Sequence, residues 1–388
     1  MTYVAWVLLG DNDGAVVRTV TVLVIACPHA LGLAIPLVVS ISSALAARAG
    51  ILVKDRLALE RMRTIDAVLF DKTGTLTRGE HVVSGVAAVG AGSEDEVLRI
   101  AGAVEADSEH PLARALVRAA REHGDGTVAR AGDFRSIIGR GVEATVDGVR
   151  YAVGGPALVR ERNLEEPGSL RAPTDDWRAR GAAVLYLVRG DEVLGAVALE
   201  DEVRPEAHEA VSALKRMGKR VVMITGDARQ VADAVGADLG LDEVMAEVLP
   251  EDKDAKVAEL QGRGLSVAMV GDGVNDAPAL ARADVGLAIG AGTDVAIESA
   301  GVVLASSDPR GVVSVIRLSA ASYRKMIENL AWAAGYNVVA IPLAAGVLAW
   351  AGITLPPAVG AVLMSASTIV VALNAQLLRR VELSPAAT

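Results

Sequence analysis

The apolar positions of this chain form runs of two lengths, and the two lengths divide it. At the amino end, residues 3–9 are apolar but too few to cross a bilayer, and they stop at the polar turn Gly10-Asp11-Asn12-Asp13-Gly14. That pattern reads as the tail of a helix that starts earlier. From Thr19 to Ala47 no residue is charged, ample for one spanning helix. Arg48, Lys54 and Arg56 follow it, so the positive-inside rule puts that end in the cytoplasm. Two more long apolar runs, about Leu330–Ile353 and Pro357–Leu378, lie near the carboxyl end, divided by a Pro-Pro turn. Arg379 and Arg380 close the second and return the chain to the cytoplasm.

Between the long runs lie short ones. Ala67-Val68-Leu69-Phe70, Val221-Val222-Met223-Ile224 and Val267-Ala268-Met269-Val270 have the length and content of buried strands. Helical stretches alternate with them, the pattern of a parallel sheet. From about 85 to 198 the composition turns rich in Gly and Ala, with alternating strands such as Val142–Val146 and Val184–Val188. This reads as a domain inserted into another. The predicted organisation is a membrane segment (1–48), a catalytic α/β domain in two pieces (49–84 and 199–325), the insert (85–198), two spans (326–380) and a cytoplasmic tail (381–388).

Composition supports this division. Of 388 residues, 52% are hydrophobic, high for a soluble enzyme and in keeping with membrane spans. A net charge of −10 argues against a nucleic-acid surface. A single cysteine, Cys27, excludes an intrachain disulfide framework and a thiolate-pair metal site. Aromatic residues are only 3%, so the core is aliphatic. No basic region precedes the first apolar residues, so nothing there looks like a cleavable signal peptide.

The short runs end on chemistry. The first stops at Asp71-Lys72-Thr73-Gly74-Thr75-Leu76-Thr77, putting a carboxylate at the carboxyl end of a buried strand, where open α/β sheets keep their sites. Lys72 supplies positive charge, and the Gly74 turn lets backbone approach a phosphate. Thr73 stands where a second acid would supply a proton if the site simply hydrolysed phosphate esters. A phosphoryl group taken by Asp71 then has no nearby acid–base group to clear it, which favours a long-lived aspartyl phosphate. The second run ends at Thr225-Gly226-Asp227 and the third at Gly271-Asp272-Gly273-Val274-Asn275-Asp276, with Lys253 between them. Asp71 and Asp272 at one sheet edge call for a cation, and Mg²⁺ is the usual one. The Thr73 carbonyl is the third expected ligand, with Asn275 and Asp276 behind the ion or facing phosphate. Lys253 is expected to neutralise the phosphoryl group and Thr225 to hydrogen-bond it.

The first long run contains Cys27-Pro28-His29, with Pro36 further on. Pro28 removes the hydrogen bond to the Val24 carbonyl and clashes with that turn, so the helix is expected to break there. Unwinding lets the Cys27 thiolate and His29 imidazole face one cavity, with the Val24 carbonyl freed. Thiolate plus imidazole suits copper or zinc rather than sodium, potassium or calcium. In the later spans, Asn337 is costly to bury and Met364 offers a soft thioether.

The heptapeptide at Asp71 resembles the phosphorylation motif of P-type ATPases, ion pumps whose cytoplasmic core belongs to the haloacid-dehalogenase superfamily. The likeness runs from the first residues to about Arg380, with several motifs in the expected order. Cys27-Pro28-His29 resembles the Cys-Pro-His form carried by the copper-transporting subgroup of heavy-metal pumps. The resemblance implies a haloacid-dehalogenase-like catalytic domain, an inserted α+β nucleotide-binding domain and transmembrane helices. Asp71, Lys72, Thr73, Thr225, Gly226, Asp227 and Lys253 carry over as the catalytic set. Glu105, His110, Gly139 and Gly141 carry over as the adenosine pocket, while Gly154-Gly155-Pro156 departs from the Gly-Asn found in many relatives. Cys27 and His29, with Asn337, Met364 and Ser365, carry over as the transport site, and Tyr336, Ser367 and Thr368 rank below them. The implied activity is ATP-driven export of a transition metal with Mg²⁺, from an integral protein of the plasma (inner) membrane. Cu⁺, Cu²⁺, Ag⁺ and Zn²⁺ stay open as the ion, and oligomeric state and direction are not written in these residues.

A complete pump of that family also has earlier membrane helices and an actuator domain with Thr-Gly-Glu, a tripeptide this sequence lacks. The sequence therefore reads as the carboxyl-terminal portion of a longer transporter, completed by an amino-terminal portion or a partner chain. Two other readings stand beside it: a membrane-tethered phosphatase of the same superfamily, and a non-pumping partner subunit of an intact transporter.

Overall fold

The computed structural model describes residues 1–27, 29–90, 92–123, 126–137, 140–290 and 293–383. Pro28 and Gly139, both singled out above, lie outside them. The chain divides into two units, Met1–Thr64 with Gly301–Ser306 and Gly311–Thr388, and Ile65–Ala300 with Ser307–Arg310. The segment 49–64, expected in the catalytic domain, belongs to the first unit.

The first unit is helical. A helix over Thr2–Leu8 is followed by one over Asn12–Ile25, started by Asp11, whose carboxylate accepts from the Gly14 N–H at 2.8 Å. The uncharged run does not form one rod. It continues as helices His29–Ala34 and Pro36–Arg48, and Pro36 sits at the first position of its helix, where its missing N–H costs nothing. Arg310–Ala344 is a single helix of 35 residues, and Pro357–Gln376 is the last long one. The span expected over 330–353 is helical only to Ala344. Gly346 ends it with φ of 88°, the Gly346 N–H bonding to the Leu343 carbonyl and the Val347 N–H to the Pro342 carbonyl. This pair of bonds is the left-handed glycine cap that closes many helices.

Among the described residues, two stretches, Asn12–Arg48 and Pro357–Arg380, are long and apolar enough to cross a membrane. The helices touch through small clusters. Ala30 and Ala34 meet Ala333 and Val371, while Ile25 meets Ala340 and Ala344. Larger apolar side chains point away from these contacts: Leu23 is 67% exposed, Val338 73% and Val362 67%. Alanines at the helix contacts with large apolar side chains turned outward suit lipid rather than water. A short strand, β1 (Ile51–Val53), pairs antiparallel with Val302–Leu304 in this unit.

The second unit holds two sheets. Its strands are β2 (Ala67–Asp71), β3 (Thr77–Ala88), β4 (Ala131–Ile137), β5 (Gly141–Val146), β6 (Val149–Gly154), β7 (Ala183–Arg189), β8 (Glu192–Val203), β9 (Arg220–Ile224), β10 (Glu243–Met245), β11 (Val267–Gly271) and β12 (Val285–Ile289). Five are parallel neighbours in the order β12-β11-β2-β9-β10. β2, β11 and β12 are buried along their whole length, which is why they read as unbroken apolar runs. From β2 the chain builds outward to β9 and β10, then returns to the other side for β11 and β12. The order therefore reverses beside β2, and such a reversal opens a crevice at the strands' carboxyl ends. Register sets Phe70 opposite both Met223 and Val270, so β2, β9 and β11 end at one edge.

The second sheet is antiparallel, in the order β3-β8-β7-β6-β5-β4. Helices Glu94–Val104 and Pro111–His123 cover one face through Leu98, Val104 and Leu116, and Pro156–Glu161 with Gly168–Ala179 cover the other through Leu158, Leu170 and Trp177. Its strands β3 and β8 reach beyond the predicted insert of 85–198, starting at Thr77 and ending at Val203.

Candidate active site

Asp71 ends β2 as a buried carboxylate, and the chain turns at once. Thr73 is extended and exposed, and Gly74 has φ of 77°. That turn requires glycine twice over. A Cβ on Gly74 would be strained by the backbone and would stand 2.0 Å from Asp272 Oδ2. The close approach brings the loop after β2 against the carboxylate after β11.

Lys253, at the start of helix Lys253–Gly262, ties the cluster together. Its Nζ donates to Asp71 Oδ1 at 2.6 Å and to Asp276 Oδ1 at 2.6 Å. The other oxygen of Asp276 accepts from the Gly273 N–H at 3.1 Å. Asp71, Asp272 and Asp276 each place a carboxylate oxygen within 4.8 Å of the others. Three carboxylates around one ammonium leave negative charge in excess. Burial, followed by the charge of Asp276, pushes the Asp71 carboxyl up to about 7 against the pull of Lys253. Burial and then Asp276 raise Asp272 as well. Burial opposes the charge on Lys253, but Asp71 and Asp276 outweigh it and hold the ammonium above the ordinary lysine range. A buried, all-oxygen site with surplus negative charge fits a hard divalent cation such as Mg²⁺.

Thr225 is buried just past β9, its N–H on the Met245 carbonyl at 3.0 Å and its Oγ1 accepting from the Asp227 N–H at 3.2 Å. Asp227 forms an ion pair with Lys72. The structure thus brings Asp71, Lys72, Thr225, Gly226, Asp227, Lys253, Asp272 and Asp276 to one sheet edge. Asn275 is exposed on the 3₁₀ turn Val274–Asp276.

A clasp beneath this edge escaped the sequence reading. Thr77 Oγ1 lies 2.6 Å from Asp201 Oδ2 and 3.0 Å from the Lys72 carbonyl, and the Gly79 N–H donates to Asp201 Oδ1 at 3.0 Å. Arg204 donates from Nε to the Thr77 carbonyl at 3.0 Å and from Nη2 to the Gly74 carbonyl at 3.3 Å. The signal lay in pairing: Thr77 stands opposite Val203 and His81 opposite Asp201, a register no local motif reveals.

In the inserted sheet, Glu105, His110 and Gly141 line one cavity of about 380 Å³, with Ser136, Arg140 and Gly155. Glu105 is buried, its Oε2 has no hydrogen-bond partner, and burial raises its carboxyl against the effect of Ser108. His110 Nδ1 accepts from the Leu112 N–H at 3.2 Å, so the ring also caps its helix. Gly141 has φ of 144°, and a Cβ there would stand 2.0 Å from the Val153 carbonyl oxygen. Gly139 lies outside the described residues.

The expected transport residues are less gathered. Cys27 and His29 are both exposed where the helix breaks after Ile25. The Val24 carbonyl, expected to be free, accepts from the Cys27 N–H at 3.4 Å, because the chain tightens into a turn instead of opening. Asn337 and Met364 are half-buried. The Ser365 hydroxyl donates to the Ala361 carbonyl of its own helix at 3.0 Å, as Thr368 does to Met364 at 3.1 Å. Ser367 and Tyr336, ranked lower, are the ones whose hydroxyl oxygens are buried without a partner.

Residues 65–284 match the model of the haloacid dehalogenase-like hydrolases. A copper-exporting P-type ATPase B of Archaeoglobus fulgidus is 52% identical over 380 residues, 98% of this chain and 54% of the relative. A copper-exporting P-type ATPase B of Enterococcus hirae is 45% identical, over 98% of this chain and 50% of its own length. The chain therefore spans about half the length of these curated relatives. Among solved structures, a zinc-transporting PIB-type ATPase in its E2.Pi state matches with a TM-score of 0.83 at 35% identity, over 95% of this chain and 58% of that one. Motif order, sheet topology and these likenesses agree: the chain belongs to the haloacid dehalogenase-like hydrolases, in their P-type ATPase branch.

Proposed function

We propose that this chain supplies the phosphorylating and part of the ion-binding machinery of an ATP-driven transition-metal pump, with copper as the ion exported from the cytoplasm. The observation that carries this reading is the Asp71 carboxylate, buried at the end of the central strand and held by Lys253 beside Asp272 and Asp276. In the proposed step an Asp71 oxygen attacks the γ-phosphorus of ATP. A bond from that oxygen to phosphorus forms, the bond from the γ-phosphorus to the bridging β,γ-oxygen breaks, and ADP leaves. Lys253 neutralises charge on the transferred group, and Thr225 hydrogen-bonds it. Lys72 and Asp227, paired with each other, fix the loops on either side. Asp71, Asp272 and the Thr73 carbonyl would hold Mg²⁺, with Asp276 and Asn275 behind it. When bound, Mg²⁺ favours the ionised carboxylates and neutralises phosphate oxygens.

Glu105, His110, Gly139 and Gly141 are the proposed adenosine contacts. Cys27 and His29, joined by Asn337, Met364 and Ser365, are the proposed ion ligands, and thiolate with thioether favours the softer Cu⁺. The catalytic unit lies on the cytoplasmic side of the plasma membrane. The test is phosphoenzyme formation from labelled ATP and Mg²⁺ on the full chain in detergent, with each metal, with chelator and with hydroxylamine. A hydroxylamine-labile label that depends on copper and disappears in Asp71→Asn is expected. A label that survives in Asp71→Asn would overturn the assignment.

A further inference from the structure

The helical unit contains a second cavity, about 320 Å³, that no step above uses. Its walls are the last turns of helix Pro36–Arg48, the strand β1, the helix Arg56–Arg61 and the middle of helix Arg310–Ala344. From Val39 to Ala47 it follows nine residues of helix Pro36–Arg48, roughly 12 Å at the helical rise, ending one residue short of Arg48. It therefore runs from the belt of positive charge into the apolar stretch.

Its lining is mixed: Val39, Leu59 and Met326 are apolar, while Lys54 and Arg56 carry positive charge. Glu60 lines it too and shares Arg56, whose Nε donates to Glu60 Oε1 at 3.0 Å. Lys54 also has a partner in the chain. Arg48, exposed, adds positive charge just beyond.

One buried polar group on the wall of this cavity lacks what an anionic, oxygen-rich ligand would give, and a second lies just behind the wall residue Tyr323. Ser322 is 5% exposed, and its Oγ, on the cavity wall, has no hydrogen-bond partner. Arg63 stacks on the ring of Tyr323, another wall residue, at 3.6 Å, and its Nε is buried without an acceptor. Orphaned buried polar groups are costly and call for a partner. By contrast Ser319, next to them, is satisfied: its Oγ accepts from the Arg63 N–H at 3.1 Å and donates to the Glu60 carbonyl at 3.2 Å.

We infer that this cavity binds an anionic phospholipid, its phosphate at Lys54 and Arg56, its glycerol oxygens toward Ser322, and its acyl chain along the apolar wall. Basic pockets between membrane helices on the cytoplasmic side take such headgroups. The inference rests on the membrane orientation proposed above but not on phosphorylation, and it is tested without ATP.

The full chain, delipidated in mild detergent, is titrated with fluorescent phosphatidylglycerol and, in parallel, with phosphatidylcholine. Saturable binding of phosphatidylglycerol in clear preference to phosphatidylcholine is expected. Ser43→Trp, at an exposed position on the wall, should block it, and Ser43→Ala should not. Lys54→Gln and Arg56→Gln should each weaken it about fivefold, the worth of one basic residue at a lipid surface. Equal binding of the two lipids, or undiminished binding in Ser43→Trp, would overturn the inference. Displacement by millimolar inorganic phosphate would also overturn it, marking a phosphate site with no use for the lipid body.

Discussion

The sheet edge at Asp71 and the broken helix at Cys27 hold the chain's two sets of reactive side chains, in opposite states of preparation. At Asp71 the charged groups are buried and cross-braced: one ammonium holds two carboxylates, and a backbone N–H holds the second of these from behind. At Cys27 the thiol and imidazole are exposed, and Ser365 and Thr368 are turned to their own helix. The difference teaches where the cost of function is stored. On the proposed reading, phosphoryl transfer would draw on a preassembled field, its residues already under electrostatic load before any ligand arrives. On the same reading, ion binding to soft ligands on a helix break would leave those ligands unloaded until the ion arrives.

Lys253→Ala breaks the comparison most severely. It would strand Asp71 and Asp276 in a buried site, and unpairing such a cluster costs about 3–5 kcal/mol. A denaturant titration of the full chain without divalent ions should show a loss of that order. A second Asp276→Asn change should restore part of it, and equal stability of Lys253→Ala and the parent would contradict the cross-bracing.

The next effect is on pH. The Asp71 carboxyl is raised from 3.8 to about 7 in the folded chain, so the folded state binds more protons than the unfolded one between those values. Its contribution to stability is present below the unfolded value and is lost as pH rises toward 7. Without Mg²⁺, Asp71→Asn should therefore gain stability relative to the parent as pH rises from 5 to about 7. Added Mg²⁺ should reverse the gain. Parallel melting profiles for the two chains would count against the raised carboxyl.

The smallest effect sharpens the other side of the comparison. Cys27→Ser should leave stability within about 0.5 kcal/mol, as for exposed positions generally, while removing any copper dependence of phosphorylation. A loss of several kcal/mol would show that Cys27 is part of the packing after all.

Much of the catalytic edge was legible because buried parallel strands must be continuous apolar runs, and these runs stop on Asp71, Thr225 and Gly271-Asp272. A strand's end is written in the sequence wherever burial ends abruptly. What lay between strands was less visible. The sequence suggests that Lys253 meets phosphate, but its double bond to Asp71 and Asp276 depends on how far helix Lys253–Gly262 sits from β2 and β11. The clasp of Thr77, Asp201 and Arg204 depends on the pairing of strands more than a hundred residues apart. Helix boundaries are less legible for a local reason: Gly346 lies inside an apolar run, yet its left-handed backbone ends the helix at Ala344.

The paired entrance to the inserted sheet has a consequence for modularity. Chain leaves the parallel sheet at Thr77 and comes back at Val203, and these two residues face each other across β3 and β8. Facing residues of an antiparallel pair have Cα atoms about 5 Å apart, a gap that a tight turn closes. Everything beyond the clasp, from Val82 to Glu200, which also face each other, is thus a cassette hung on one hinge. The parallel sheet is topologically whole without it, and evolution or a protein engineer can lengthen, shrink or exchange the cassette while Asp71, Lys253 and Asp272 keep their places.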